Sequence, residues 1–305
     1  MRQKLLRELA SVAGTDHVRE NEPMRLHTTF RIGGPADLFI TLKDPRKAGP
    51  VMELLRGCGV PVFVLGNGSN VLVSDDGFRG AVIRMAGSAS DIRVSDGVIR
   101  APAGVLLSSV AAAALHHSLT GLEFASGIPG TVGGACVMNA GAYGGEMRDV
   151  LTHVTVLDEN FEIRRMPADQ LGLGYRTSRI QDMPWTVLEA ECCLEKGEES
   201  AILSRMNELK EKRTAKQPLE FPSAGSTFKR PEGFFAGKLI EEAGLRGFSC
   251  GGAQVSEKHC GFVISRKDAT AADVLGVIRE VQRRVAENAG VLLEPEIRML
   301  GFEEE

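Results

Sequence analysis

Residues 121–147 read GLEFASGIPGTVGGACVMNAGAYGGEM and carry the strongest indication of fold and ligand in the chain. Glycines crowd this stretch around a single proline, Pro129; they include Gly127, Gly130, Gly133, Gly134, Gly141, Gly144 and Gly145. Glycine costs conformational entropy on folding, so this density needs a reason in the folded state. The usual reason is a backbone that closely approaches a flat or phosphorylated ligand and donates its own N–H groups. The alternative is a tight hairpin and loop tip without a ligand.

A second cluster follows an apolar run. Residues 61–65 read PVFVL and residues 65–73 read LGNGSNVLV, which predicts a strand, a turn and a second short strand. Glycine and asparagine tolerate positive φ, so successive N–H groups in such a turn can converge on an anion. The turn is neither a Rossmann fingerprint nor a P-loop, because the full glycine spacing and the closing Gly-Lys-Ser/Thr are missing. Together the two clusters predict two backbone clamps on one large ligand, a dinucleotide.

Bulk properties place the chain among ordinary globular proteins. Its 305 residues leave room for two or three domains, and 43% hydrophobic with 25% charged residues is a typical composition. A formal net charge of −4 argues against a general nucleic-acid binder, and no apolar run reaches membrane-spanning length. The first residues, MRQKLLRELASVAG, predict an amphipathic helix rather than a signal peptide. We therefore expect a cytoplasmic protein with no membrane or nucleic-acid partner.

The cysteines and histidines show no pattern of a metal site. The six cysteines form no C-x-x-C pair, and the six histidines form no H-E-x-x-H motif. Because we see no secretory signal, a disulfide framework is not expected either. Free buried thiols are the interpretation that we adopt.

Hydrophobic periodicity and turn chemistry predict an α+β protein. Two alternating strands meet across Asp96-Gly97, a hairpin signal. A strong helix precedes Gly290, which is placed to cap it. Its apolar face consists of Val274, Ile278, Val281 and Val285. Residues 291–300 read as the last strand. The predicted division is two subdomains and a smaller C-terminal domain: residues 1–86, 87–197 and 198–305.

Three further segments carry side chains suited to chemistry. Arg176, in the segment YRTS, can hold a carboxylate by paired hydrogen bonds or form a solvated surface salt bridge. Ser226, in PSAGSTFK, can present its hydroxyl to a cleft or cap a turn, and its surroundings are not a G-x-S-x-G elbow. Glu294 and Glu296, in VLLEPEIRML, share one face of the predicted strand. A glutamate there can act as an acid or form an edge-strand salt bridge.

The motifs of the chain resemble one family over nearly its whole length. In chain order they are TTFRIGGPAD, LGNGSNVLV, GIPGTVGGACVMNAGAYGGE, YRTS, GSTFK with AGKLIEEAGLRG, and LEPEIRMLG. This order is similar to that of the UDP-N-acetylenolpyruvoylglucosamine reductases, bacterial cytoplasmic flavoenzymes of peptidoglycan precursor synthesis. The resemblance implies an FAD-binding fold of the PCMH, or vanillyl-alcohol-oxidase, type in two subdomains. A smaller C-terminal α+β domain that binds substrate should follow.

The length of one segment points to a branch of this family. The chain between Tyr175 and Cys193 is short, and we see no tyrosine-bearing insertion of the kind that covers substrate in the longer branch. The chain contains two tyrosines, Tyr143 and Tyr175. It therefore resembles the shorter, second type of the family.

The same resemblance implies roles for individual residues. Arg176 looks like the arginine that binds the substrate carboxylate, Ser226 like the proton donor, and Glu296 like the catalytic glutamate. The candidates for substrate contacts are Tyr175, Lys229 and Lys238. The lysines can equally belong to a solvated surface. The expected FAD-binding residues are Gly66, Asn67, Gly68, Ser69, Asn70, Gly127, Ile128, Pro129, Gly130, Thr131, Gly133, Gly134, Asn139, Ala140 and Gly141.

The implied reaction reduces UDP-N-acetylglucosamine enolpyruvate to UDP-N-acetylmuramate with NADPH as the hydride donor. We expect non-covalent FAD, because neither loop offers a histidine for attachment, and we expect a monomer without a metal. Two alternatives stay open. One is a flavin oxidase of the same fold that oxidises an alcohol or sugar with oxygen, and the other is a non-catalytic nucleotide-binding module.

Overall fold

Two compact units make up the chain. The structure is a computed structural model that describes residues 2–302. Unit 1 comprises Met1–Glu20, Leu38–Asn67 and Gly80–Lys212. Unit 2 comprises Asn21–Asp37, Gly68–Arg79 and Arg213–Glu305. Each unit is thus assembled from separated segments, whereas the predicted domains ending at residues 86 and 197 are continuous along the chain. The three-part division stays a prediction.

Helices and short strands are mixed along the described residues. The helices are α1 Arg2–Ala13, α2 Ala48–Gly57, α3 Leu107–His116, α4 Val132–Val137, α5 Glu199–Lys216, α6 Ala236–Glu242 and α7 Ala271–Ala289. The strands are β1 Val18–Pro23, β2 Pro35–Leu42, β3 Val62–Leu65, β4 Val71–Val73, β5 Phe78–Met85, β6 Arg93–Ser95, β7 Val98–Pro102, β8 Leu119–Thr120, β9 Gly141–Ala142, β10 Gly145–Glu146, β11 Leu151–Leu157, β12 Ile163–Pro167, β13 Thr186–Cys193, β14 Glu195–Lys196, β15 Ser249–Cys250, β16 Ala253–Val255, β17 Val263–Ser265 and β18 Arg298–Leu300.

Unit 1 holds most of a four-stranded sheet and all of a five-stranded sheet. The first has the order β1–β2–β5–β3, with β3 parallel to β5. Leu9 of α1 and Leu55 of α2 are fully buried in the core beside it. The second sheet is antiparallel, with the order β12–β11–β13–β7–β6, and α3 and α4 supply its core. This combination confirms the α+β class.

The predicted hairpin at Asp96-Gly97 is confirmed. Ser95 pairs with Val98 across a two-residue turn. Asp96 and Gly97 both have positive φ, at 51° and 78°. Two consecutive positive φ values define the turn whose twist matches that of antiparallel strands, and Asp-Gly is a preferred sequence for it.

Unit 2 packs α6 and α7 with two small groups of strands. One is the antiparallel set β15–β16–β17, and the other is the parallel pair β18–β4. The four apolar residues predicted for α7 are all buried, and Gly290 ends the helix with a left-handed φ of 67°. The predicted helix and its cap are therefore confirmed.

The prediction of a continuous last strand over residues 291–300 is wrong. Only Arg298–Leu300 forms a strand, which runs parallel to Val71–Val73. Pro295 makes an isolated bridge with Phe228 instead. Proline has no N–H to donate to a ladder, so a regular strand does not extend through it. The argument that Glu294 and Glu296 share a strand face falls with it.

The hydrogen bonds of Asp273 make the stability of unit 2 depend on pH. Its Oδ2 atom accepts hydrogen bonds from the N–H groups of Thr270 (3.0 Å) and Gly252 (3.1 Å), and these bonds lower the pKa of Asp273 below its ordinary 3.8. Because the folded-state pKa is the lower one, the stabilisation is complete above the unfolded-state value. The stabilisation is lost as the pH falls through the folded-state pKa of Asp273.

We expect Asp273→Asn to lower the free energy of unfolding at neutral pH by about 1 kcal/mol, the usual cost of a lost cap. The same variant should lose less stability than the wild type between about pH 5 and pH 2. Urea unfolding at several pH values measures both effects. Asp268→Asn is the matched control, because Asp268 is exposed and has a positive φ that asparagine tolerates. Parallel pH curves for wild type and Asp273→Asn would contradict the prediction.

Candidate active site

The two glycine-rich loops meet within unit 1. The first leaves β3 at Leu65 and continues through Gly66 and Asn67. The side-chain amide of Asn67 donates to the carbonyl of Pro129 at 2.7 Å. A Cβ atom on Gly66 would lie 2.3 Å from Oγ1 of Thr131, so glycine is required for the loops to approach this closely. The structure thus brings the first residues of the first glycine-rich loop into contact with Pro129 and Thr131 of the second.

The second loop has an inner side and an outer side. The N–H of Gly133 donates to the carbonyl of Ala103, and Gly133 is buried against that residue. Its N–H is therefore used by the fold. Gly127 and Pro129 are exposed, with Gly130 half-buried after them. The outer stretch from Gly127 to Gly130 is the more exposed side, although the carbonyl of Pro129 accepts from Asn67 and the N–H of Ile128 donates to the carbonyl of Ala125.

Asn139 connects the glycine-rich segment to the YRTS turn. Its side chain is fully buried, with a φ of 40°. The amide donates to the carbonyl of Gly174 at 2.9 Å and accepts from the N–H of Arg148 at 2.9 Å. A buried amide with both ends hydrogen-bonded rigidifies the segments that it joins. The structure thus gives this side chain an internal role, while its predicted contact with FAD stays a prediction.

Arg176 stands at the tip of a tight turn. The N–H of Gly174 donates to the carbonyl of Thr177 at 3.0 Å, and the N–H of Thr177 donates back at 3.3 Å. Arg176 has a φ of 54°, which is uncommon for a residue with a side chain. Its Nη2 donates to the carbonyl of Gly141 at 3.0 Å, and its guanidinium lies 5.2 Å from the ring centroid of Tyr175. A strained turn held by several contacts is a feature of functional sites.

Unit 2 brings Ser226 and Glu296 onto adjacent segments. Ser226 is exposed, and the next residue, Thr227, is buried. The carbonyl of Thr227 accepts from the N–H of Glu296 at 2.8 Å, and Phe228 bridges to Pro295. The N–H of Thr227 in turn donates to the carbonyl of Gly261 at 2.8 Å. The predicted proton donor and the predicted catalytic glutamate are therefore held on neighbouring stretches of backbone.

The rest of the first loop, residues 68–70, also lies in unit 2. The carbonyl of Gly68 accepts from the N–H of Thr29 at 3.1 Å. The hydroxyl of Thr29 donates to the carbonyl of Ser223 at 2.7 Å, three residues before Ser226. Sequence reasoning missed Thr29. The motif TTFRIGGPAD contains it, but no local pattern shows which distant carbonyls a threonine will reach.

Both predicted substrate lysines form ion pairs on the surface. Nζ of Lys229 lies 2.5 Å from Oε1 of Glu294, and Nζ of Lys238 lies 3.6 Å from Oε1 of Glu242. A phosphate must compete with these carboxylates. Exposed pairs of this kind contribute little to stability, so exchange for a doubly charged phosphate group is energetically accessible.

The described residues contain no group of three or more His, Cys, Asp or Glu side chains placed to hold a metal ion. Cys136, in α4 within the second glycine-rich segment, is fully buried, and this burial strongly raises the pKa of its thiol. A buried, protonated thiol is a poor nucleophile for attachment to a cofactor. Across residues 2–302, every helix is too short or too polar to cross a lipid bilayer.

Gly66 offers a direct test of the close approach between the loops. We expect Gly66→Ala to lower the free energy of urea unfolding by about 1–3 kcal/mol through overpacking against Thr131. Flavin content after purification should fall with it. For stability, Gly134→Ala is the matched control, because its new Cβ would lie 3.7 Å from the same Oγ1 atom, an ordinary contact. Equal stability of Gly66→Ala and the wild type would show that the loops can separate at no cost.

Comparisons with known proteins cover nearly the whole chain. A family model described as an FAD binding domain matches residues 36–166, and the model of the UDP-N-acetylenolpyruvoylglucosamine reductase C-terminal domain matches residues 217–300. The reductase of that name from Agathobacter rectalis is 53% identical over 294 residues, covering 92% of this chain and 93% of its own. The one from Lachnoclostridium phytofermentans is 48% identical over 305 residues, with 99% and 98% covered.

A solved structure agrees with these relatives. The crystal structure of UDP-N-acetylenolpyruvylglucosamine reductase from Thermus caldophilus superposes with a TM-score of 0.79 at 36% identity. The superposition covers 93% of this chain and 99% of the Thermus caldophilus chain. Fold and sequence therefore point to the same family over nearly the full length.

Proposed function

The chain belongs to the UDP-N-acetylenolpyruvoylglucosamine reductases, and on this premise we propose how its residues carry out the family's reaction. It is an FAD-dependent oxidoreductase of peptidoglycan precursor synthesis that reduces UDP-N-acetylglucosamine enolpyruvate, with NADPH as the hydride donor. The product is UDP-N-acetylmuramate. The observation that carries the proposal is the backbone pairing that puts Ser226 and Glu296 on adjacent segments. A proton donor must lie within reach of the substrate carbon, and this pairing fixes the two segments against each other.

The residues of unit 1 fit a dinucleotide. Glycine at position 66 lets the first loop lie directly against Thr131, and the neighbouring residues Gly127 and Pro129 are exposed. We propose that Gly66, Asn67 and the stretch 127–131 hold FAD without a covalent bond. The buried thiol of Cys136 and the absence of histidine from both loops support non-covalent binding. When bound, FAD supplies the hydride-transfer chemistry.

The protein must stabilise and then protonate the substrate. Hydride delivery to the terminal carbon of the enolpyruvyl group leaves negative charge on the carbon that bears the carboxylate. We propose that Arg176 holds this carboxylate through paired hydrogen bonds, since charge stabilisation of this type is worth several kcal/mol, about 3 for one donor. Glu296 in its protonated form donates a further hydrogen bond to the developing charge. Ser226 then transfers its hydroxyl proton to the carbon.

Other residues bind the remainder of the substrate. We propose that Tyr175 and the lysines at positions 229 and 238 contact it, with Lys229 exchanging Glu294 for a phosphate oxygen. NADPH and substrate use the same cleft in turn, which predicts ping-pong kinetics. The remaining parts of the proposal are a cytoplasmic location and a monomeric state.

Anaerobic half-reactions test the function. NADPH should bleach the yellow absorbance of the purified protein, and UDP-N-acetylglucosamine enolpyruvate should restore it while UDP-N-acetylmuramate forms. Mass spectrometry identifies the product. Rapid oxygen consumption with an alcohol or sugar would favour a flavin oxidase instead. Binding of the UDP-sugar without any NADPH turnover would favour a nucleotide-binding module.

A further inference from the structure

Glu296 is held on both sides of its Cα atom. Its N–H donates to the carbonyl of Thr227 at 2.8 Å. Its carbonyl accepts from the side-chain amide of Asn70 at 3.2 Å. A carbonyl oxygen only accepts, so the amide nitrogen of Asn70 must be the atom that faces it. These two bonds fix the backbone from which the carboxyl side chain projects.

Asn70 reaches Glu296 from the end of a strand ladder. The carbonyl of Asn70 accepts from the N–H of Arg298 at 2.9 Å, and regular parallel pairing begins at the next residue, Val71, with Arg298. The side chain of Asn70 thus continues the hydrogen bonding beyond the strand pair. Glu296 lies outside β18, before the first regular pair of the two strands. Removing the amide takes this hydrogen bond away from the carbonyl of Glu296.

We propose that Asn70 is a positioning residue, which places the Glu296 carboxyl for catalysis through the Glu296 backbone. This inference rests on the proposed function. It replaces the expected flavin contact of Asn70 with a different role, in which Asn70 links the first glycine-rich loop to the catalytic glutamate. Asn67, three residues earlier in the same loop, has a different task, because its amide donates to Pro129 of the second loop. The two asparagines therefore bond to different segments, Asn67 to Pro129 and Asn70 to Glu296.

Paired leucine variants separate these tasks, because leucine has nearly the shape of asparagine but no donor. Asn70→Leu should slow reoxidation by UDP-N-acetylglucosamine enolpyruvate about 10- to 100-fold, the cost of misplacing a catalytic group. Reduction by NADPH should stay within about 3-fold, and the ratio of flavin to protein should not change, since Glu296 acts only on the second substrate. Asn67→Leu, the matched control, should lower flavin content instead.

A double variant shows whether Asn70 acts through Glu296. In the Glu296→Gln background, Asn70→Leu should add little further loss, because a positioning residue cannot matter once the group it positions is gone. Full multiplication of the two effects would overturn the proposal. Loss of flavin from Asn70→Leu, with equal decreases in the rates of both half-reactions, would also overturn it. Such a result would show that Asn70 contacts the flavin instead.

Amide hydrogen exchange gives a readout that does not depend on activity. Peptides that cover residues 294–298 should exchange faster in Asn70→Leu than in the wild-type holoprotein, and peptides that cover residues 127–131 should not. Unchanged exchange at 294–298 would show that Asn70 does not hold this segment. If the wild-type enzyme failed to reduce the enolpyruvyl substrate, the proposed function would fall, while the exchange result would still decide whether Asn70 fixes Glu296.

Discussion

Ser226→Ala is expected to be reduced by NADPH at the wild-type rate and to be reoxidised by the enolpyruvyl substrate about 10²- to 10⁴-fold more slowly. A hydroxyl can protonate carbon only beside a strongly basic carbanion, so only the second half-reaction needs it. Stopped-flow absorbance of the flavin follows both halves separately. The exposed position of Ser226, next to a buried and fully bonded Thr227, means that the substitution removes little from the core.

Ser223→Ala is the matched control for this result. Ser223 lies in the same segment, and its contact with Thr29 runs through the backbone carbonyl, which alanine keeps. Both half-reactions of this variant should stay within about 3-fold of the wild type, as for most surface changes. Reoxidation of Ser226→Ala near the wild-type rate would show that Ser226 is only a turn residue. Equal losses in both halves would indicate a damaged flavin site.

Arg176→Lys should lower kcat/KM for the enolpyruvyl substrate about 10²- to 10³-fold while reduction by NADPH is spared. Lysine keeps the charge but loses the planar fork that binds a carboxylate through two hydrogen bonds. It also keeps a side chain at the strained φ of 54°, so the comparison isolates the guanidinium from the backbone. The nitrogen that now donates to the carbonyl of Gly141 should be lost as well.

Arg179→Lys makes the same chemical change three residues later. Arg179 is exposed, with its guanidinium 5.6 Å from the ring centroid of Trp185. Steady-state kinetics of this control should resemble the wild type. If Arg176→Lys behaves like Arg179→Lys, Arg176 is an ordinary surface arginine and another group must hold the carboxylate.

Local chemistry accounts for the parts of the fold that the sequence predicted well. The Asp96-Gly97 hairpin and the capped helix before Gly290 each depend on a few neighbouring residues, whose φ preferences and spacing are visible in the chain. The final strand is shorter than its apolar residues predict for a local reason too, because Pro295 has no N–H to donate to a strand ladder.

Long-range pairing accounts for what the sequence did not predict. No periodicity shows that Thr29 will bond to Gly68, or that residues 21–37 and 68–79 belong with the C-terminal part of the chain. The glycine-rich neighbours of Asn139 predict a flavin contact, which stays a prediction, whereas its burial and its two hydrogen-bond partners become visible only in three dimensions. The motifs marked the right segments without showing which atoms of each face inward.

The bond between Asn70 and Glu296 joins residues 226 positions apart. While the chain is being synthesised, Asn70 and the strand Val71–Val73 leave the ribosome long before their partners Glu296 and Arg298 exist. The nascent chain can close the hairpin at Asp96-Gly97 early, because both of its strands emerge together. It cannot close unit 2 until almost the last residue has been added, so a truncated chain that ends before residue 296 lacks the segment that carries the proposed catalytic carboxyl.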